Sequence, residues 1–226
     1  MLLAIDTATQ YASLALHDSH AVAAEDTWRA PMHGVGAELA SAIQHLLGRS
    51  GITIDQLTAL AVCIGPGSFT GLRSGIALAK GIAGARGLPL VGVSSLDVLA
   101  SAHPQASGGL IAVVQAGRGR VIAASYQWRK GRWKSRSEPL LMTWDMLIAS
   151  IDGPATLTGE ISDAGLETLQ MAREQGAPIH VSAGALRLRR AGFLAEEAWN
   201  QLQSRSAEIF EADHVVPLYV KTKDLS

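Results

Sequence analysis

Apolar and small residues fall into short blocks along this chain, and the spacing within each block separates strands from helices. Residues 2–6 and 12–16 are apolar runs parted by a polar turn, and "AVAAEDTW" follows Asp18-Ser19-His20, which predicts a meander of three strands. Pro31 stands where a first helical turn tolerates it, and Val35, Leu39, Ile43, Leu46 and Leu47 recur at helical spacing up to a stop near Gly48 to Gly51. "LTALAVCIG" reads as a buried strand. The segment "GPGSFTGLRSGIALAKGIAG", 65–84, reads as a glycine-rich turn entering a helix capped by Ser68 or Thr70, and "LPLVGV" as another strand. Strand, helix, strand in that order predicts parallel pairing. A shorter helix from Ser94 or Ser95 to about Ala102 closes this half.

The stretch "SAHPQASGG" is poor in large apolar residues and rich in turn formers, so it reads as a linker. Beyond it the order restarts. "LIAVVQAG", "RVIAASYQW" and a third strand around "WKSRSEPLL" precede a helix near Trp144, a strand at "ATLTG" and a helix from Asp163. A long helix from about Ser182 to Arg205, with Leu186, Phe193, Leu194 and Leu202 among its apolar positions, then leads into an extended tail, "HVVPLYVKTK". Two copies of β-β-β-α-β-α predict an α/β protein of two similar domains, 1–103 and 104–226, with the C-terminal segment packing back on the first.

With 226 residues, 48% apolar and 17% charged, the chain has enough material for a sizeable core. Its formal net charge of −1 gives no overall positive field to gather nucleic acid or an anionic membrane. A single cysteine, Cys63, excludes an internal disulfide and any multi-cysteine metal site, and fits a reducing compartment. The start, "MLLAIDTATQ", reaches Asp6 too soon for a signal peptide, and the most apolar stretches are short or carry Lys80 and Arg86. The expected location is therefore the cytosol.

The glycine-rich segment admits two physical readings. A glycine-rich turn at a helix N-terminus can cradle phosphate, but counting from Gly67, the slots that a phosphate loop fills with glycine and lysine hold Leu72 and Arg73. Within the helix, Gly71, Gly75, Ala79 and Ala83 recur every four residues on one nearly bare face. Each interior glycine costs about 1 kcal/mol relative to alanine, a cost easier to understand where another backbone comes close. That backbone belongs either to this protein's own sheet or first helix, or to another subunit.

At these residues the chain resembles the TsaB (YeaZ) family, relatives of the actin-like ATPase superfamily. The resemblance rests on "LLAIDTAT", "GPGSFTGLRSGIALAKGIA", "LPLVGVSSLDVLA" and "VVPLYVK", in that order over most of the chain, with the central block the most specific. It implies two actin-like (RNase H-like) domains, each a mixed sheet flanked by helices. It also implies a non-catalytic subunit of the machinery that makes threonylcarbamoyladenosine in tRNA. Its implied partners are a TsaD-like catalytic subunit, reached through N-domain helices, a small TsaE-like ATPase, tRNA through the complex, and a second copy of itself when alone. On this reading the partner-binding residues are Gly71, Ser74, Gly75, Leu78, Ala79 and Ile82, with Leu39, Ile43 and Leu46 in support. TsaD-like chains carry two histidines four apart where this chain has Ser95 and Leu99, so no metal site and no cofactor are expected. Family members commonly show an Asp-Ala-Arg type turn where this chain reads "QAGRGRV", which leaves Asp6 without a second carboxylate for nucleotide chemistry.

Other residues carry weaker signals. Asp6 and Thr7, at the end of the first strand, are candidates for meeting a nucleotide phosphate or magnesium, against the plainer reading of Asp6 as a turn carboxylate; the alternative function is an actin-like ATPase or phosphotransferase acting alone. Ser68 lacks a nucleophile elbow and any identifiable base. Cys63 reads as a small buried hydrophobe, and the seven histidines as surface residues. Between Asp97 and Glu138 no acidic residue occurs, yet Arg118, Arg120, Arg129, Lys130, Arg132, Lys134 and Arg136 fall there with Tyr126, Trp128 and Trp133. Such a cluster reads either as a solvated face or as an RNA contact, with Arg129, Arg132 and Arg136 on phosphate and the aromatics stacking on unpaired bases.

Overall fold

A computed structural model describes residues 1–30, 35–205 and 207–220, so Pro31 and His33 lie outside the described residues. The chain divides into two compact units, Met1–Val98 with Arg190–Leu218, and Leu99–Arg189.

In the first unit, β1 (Leu2–Asp6), β2 (Tyr11–His17) and β3 (Val22–Arg29) form the antiparallel meander, and β4 (Ala59–Gly65) and β5 (Leu90–Ser94) add in parallel on the other side of β1, in the order β3-β2-β1-β4-β5. The helices α1 (Val35–Arg49), α2 (Phe69–Arg86) and the short α3 (Ser95–Ser101) occupy the connections, and α7 (Ala191–Ser204) returns to pack on β1, β2 and β3. All of β1 is buried, which requires cover on both faces of the sheet. α7 lies on the face that carries Ser13 and His17, leaving the other to α1 and α2. Ser68 caps α2, its hydroxyl accepting from the Gly71 N–H, and Gly87 closes the helix in a left-handed conformation. Among the described residues, 216–220 form no strand, although the Leu218 N–H donates to the Ile64 carbonyl at 2.7 Å, and the rest of the predicted extended tail lies outside them.

In the second unit the sheet runs β11-β10-β6-β7, with β6 (Gly109–Gln115) antiparallel to β7 (Arg120–Arg129) and parallel to β10 (Ala155–Gly159). The helices α4 (Trp144–Ala149) and α5 (Asp163–Glu174) supply Trp144, Leu147 and Leu169 to a core over Ile111, Val113, Val121 and Leu157. Three expectations need correction here. The single strand around "WKSRSEPLL" is two short strands, β8 (Arg132–Ser135) and β9 (Leu140–Thr143), which occupy successive stretches of one edge of β7. A parallel edge strand, β11 (Ile179–Val181), was not anticipated from its three residues.

The third correction concerns the long helix predicted from Ser182. It is a single turn, α6 (Gly184–Arg187), an extended break through Leu188 and Arg190, and then α7. The break falls where distant side chains cap the new helix: the Ala191 N–H donates to Ser13 Oγ at 2.9 Å and the Gly192 N–H to Glu25 Oε1 at 2.8 Å. Arg190 adds an ion pair to Glu25. Helical periodicity alone could not register this, because both caps come from strands more than 160 positions earlier.

Candidate functional site

The end of β1 meets the start of α2. Asp6 is 1% exposed and its Oδ1 accepts from the Ala8 N–H at 2.9 Å, closing a turn. Thr7, equally enclosed, donates its hydroxyl to the Gly71 carbonyl at 2.7 Å. A Cβ on Gly71 would collide with the Thr7 carbonyl oxygen, one on Gly75 with Thr7 Oγ1, and one on Gly67 with the Ala8 carbonyl. The glycines therefore let α2 lie against the loop that follows β1. This corrects two expectations. Asp6 and Thr7 turn inward and present no open surface to a nucleotide. The stripped face made by Gly71, Gly75 and Ala79 meets the protein's own first strand and loop, not a neighbouring molecule. Leu39, Ile43 and Leu46 of α1 are likewise core residues, at most 4% exposed, and leave the set of partner contacts for the same reason.

What remains at the surface is the flank of α2 beside that face and the side beyond it. Ser74, Leu78 and Ile82 are half-buried, while Ala77, Gly81 and Ala85 are exposed on the same side of the helix. On α1, Gly36 stands close to Ser74, and Ala40, Ser41 and Gln44 are exposed beside it. The surface so formed carries few long side chains, which is what close helix-on-helix packing needs. At its edge Phe69 is 54% exposed, with the Arg73 guanidinium stacked 3.8 Å over the ring.

The predicted basic cluster does not hold together, and Arg136, just past β8, donates its backbone N–H to the Ser125 carbonyl midway along β7. Arg118 and Arg120 stand at the β6–β7 turn, and Arg129, Lys130, Arg132 and Lys134 at the far end of β7, nine residues and on the order of 30 Å away. At that end a two-residue turn, Lys130-Gly131, both with positive φ, places Arg129 directly opposite Arg132. Two of the three aromatics are not available for stacking as expected. Tyr126 and Trp133 are buried, the Trp133 indole N–H donates to the His103 carbonyl at 3.1 Å, and Trp128 packs edge-on against Trp133.

Ser95 is fully buried and donates its hydroxyl to the Pro66 carbonyl at 2.6 Å, and Leu99 is also buried. Among the described residues no three His, Cys, Asp or Glu side chains gather as a metal would require. Cys63 is buried in the first core. Two histidines correct the reading of all seven as surface residues. His17 is 1% exposed, accepts from the Ser19 N–H at Nδ1 and stacks beside Trp199. His103, 8% exposed, lies 2.8 Å from Thr158 Oγ1 through Nε2. The Thr158 hydroxyl donates to the Leu186 carbonyl at 3.1 Å, so it accepts from His103 Nε2–H. Burial holds the His103 pKa below its usual 6.5.

Comparison with known proteins agrees with this geometry. Residues 36–181 match the family model described as TsaD: tRNA N6-adenosine threonylcarbamoyltransferase. The chain is 38% identical over 128 residues to the tRNA threonylcarbamoyladenosine biosynthesis protein TsaB of Escherichia coli, covering 56% of this chain and 54% of that one. It is thus matched along about half the length of that relative. It is 32% identical over 162 residues to the protein of the same description in Bacillus subtilis, covering 70% of each. In three dimensions it resembles YeaZ from Pseudomonas aeruginosa, with a TM-score of 0.76 at 25% identity, over 97% of this chain and 99% of that one. A ROK hexokinase from Thermus thermophilus aligns at TM-score 0.52 and 13% identity, over 90% of this chain and 99% of that one, which ties the two sheets to the actin-like fold.

Proposed function

The chain belongs to the TsaB (YeaZ) family, and from that premise we propose that it is a non-catalytic scaffold subunit in the synthesis of threonylcarbamoyladenosine in tRNA, holding a TsaD-like catalytic subunit. The observation that carries this reading is the outer surface of α1 and α2, where Ala77, Gly81 and Ala85 stand exposed beside half-buried Ser74, Leu78 and Ile82. A partner helix can approach such a surface closely, and a partner that binds only the folded, competent form of its mate shifts the population toward it. The same surface pairs two copies of the chain when the catalytic subunit is absent. The inactive role is supported by Ser95, whose hydroxyl is committed to the Pro66 carbonyl at the position where TsaD-like chains carry a histidine. A TsaE-like ATPase joins the assembly, which works on tRNA in the cytosol, and the opposed Arg129 and Arg132 at the hairpin tip offer it a phosphate contact.

The test is reconstitution with a TsaD-like subunit. Ala77→Arg and Ala85→Arg, both at exposed positions, should abolish co-elution with that subunit and tRNA modification by the mixture, while leaving the chain's own far-UV circular dichroism spectrum unchanged. Retained co-elution, tRNA modification by the lone chain, or ATP turnover by the lone chain lost in Asp6→Asn, would overturn the reading.

A further inference from the structure

A cavity of about 500 Å³ opens on the second unit, and the way β7 is paired explains why it exists. β9 pairs with residues 120–123 of β7 and β8 with residues 126–129, so neither strand serves Ala124 and Ser125. The chain crosses this gap between β8 and β9. There the Arg136 N–H donates to the Ser125 carbonyl at 2.8 Å, and Ser137 Oγ stands in for a strand partner, accepting from the Ser125 N–H at 3.2 Å and the Ser125 hydroxyl at 3.1 Å. With two bonds accepted, the Ser137 hydroxyl keeps its own proton to donate. Arg136 lines the same cavity, and among the described residues its guanidinium makes no ion pair or side-chain hydrogen bond.

We propose that this cavity binds a small organic monoanion with a flat apolar body, its carboxylate or sulfonate held by the Arg136 guanidinium and the Ser137 hydroxyl. The body rests on Leu140, which is 45% exposed, and on Met142 and Ile151. Asp152 also lines the cavity and among the described residues has no partner. Its carboxylate repels a second anionic group, which selects against di- and triphosphates.

The probe is 8-anilinonaphthalene-1-sulfonate, a sulfonate on fused aromatic rings, titrated into the full chain and followed by its fluorescence. Saturable binding of one molecule per chain is expected, displaced by 1-naphthoate and not by 1-naphthylmethylamine. Arg136→Glu, at an exposed position, should weaken it about tenfold or more, as expected for loss of a charged hydrogen bond and introduction of repulsion. Arg173→Glu, beside the separate surface groove along α5, should leave it unchanged. Equal affinity in Arg136→Glu, displacement by the amine as readily as by the acid, or a matching loss in Arg173→Glu would overturn the assignment. None of these outcomes depends on the catalytic partner.

Discussion

Thr7 and Gly71 are joined by a hydrogen bond of 2.7 Å in which a buried hydroxyl reaches the backbone of the second helix. The contact exists because Gly71 and Gly75 have no side chain to keep the helix away.

Alanine at these two positions separates close approach from mere helix propensity. Gly71→Ala and Gly75→Ala place a methyl group against Thr7 and should each lower unfolding free energy by about 1–3 kcal/mol, as overpacking does. Gly84→Ala, with nothing within 4 Å of its Cβ, should raise it by about 0.5–1 kcal/mol. Urea unfolding of the three variants distinguishes the cases. An increase in stability for Gly75→Ala would contradict the account of the glycine-rich helix.

His103 gives stability a pH dependence of definite sign. Burial lowers its pKa in the folded state, so the unfolded chain takes up the proton first as pH falls. Its contribution is complete above the unfolded value of about 6.5 and is lost as pH falls through that value toward the lower folded one. His103→Gln, which cannot titrate, should therefore show a flatter fall in urea midpoint between about pH 7 and pH 5 than the parent chain. Parallel profiles would mean that His103 stays solvated.

The start of α7 depends on strands from the other end of the chain. Ser13→Ala removes the acceptor for the Ala191 N–H and should cost about 0.5–2 kcal/mol, in the range of a lost helix cap. Glu25→Gln keeps an acceptor for the Gly192 N–H while ending the ion pair with half-exposed Arg190, and should cost less than Glu25→Ala. Circular dichroism and urea unfolding of the three variants check the order.

Most elements were legible because their cause is local. The apolar runs of β1 and β2, the Ser68 cap of α2 and the positive-φ glycines of the turns are written within a few residues of where they act. What escaped depends on partners far along the chain. The break before Ala191 needs Ser13 and Glu25, the burial of His103 needs Thr158 and Leu186, and the inward turn of Gly75 needs Thr7. The small-residue periodicity of α2 marked a close approach correctly, but it could not say which neighbour was approached. The groove beside Arg136 was invisible for the same reason. It arises from two short strands sharing one edge, where the sequence suggested one continuous strand.

The return of α7 to β1 and β2 also sets an order of events during synthesis. The strands that leave the ribosome first carry an apolar face whose cover is encoded almost two hundred codons later, after residues Leu99–Arg189 of the second unit. The earliest part of the polypeptide is thus among the last to be sealed, and during translation that bare sheet is the surface on which chaperones and misassembly compete.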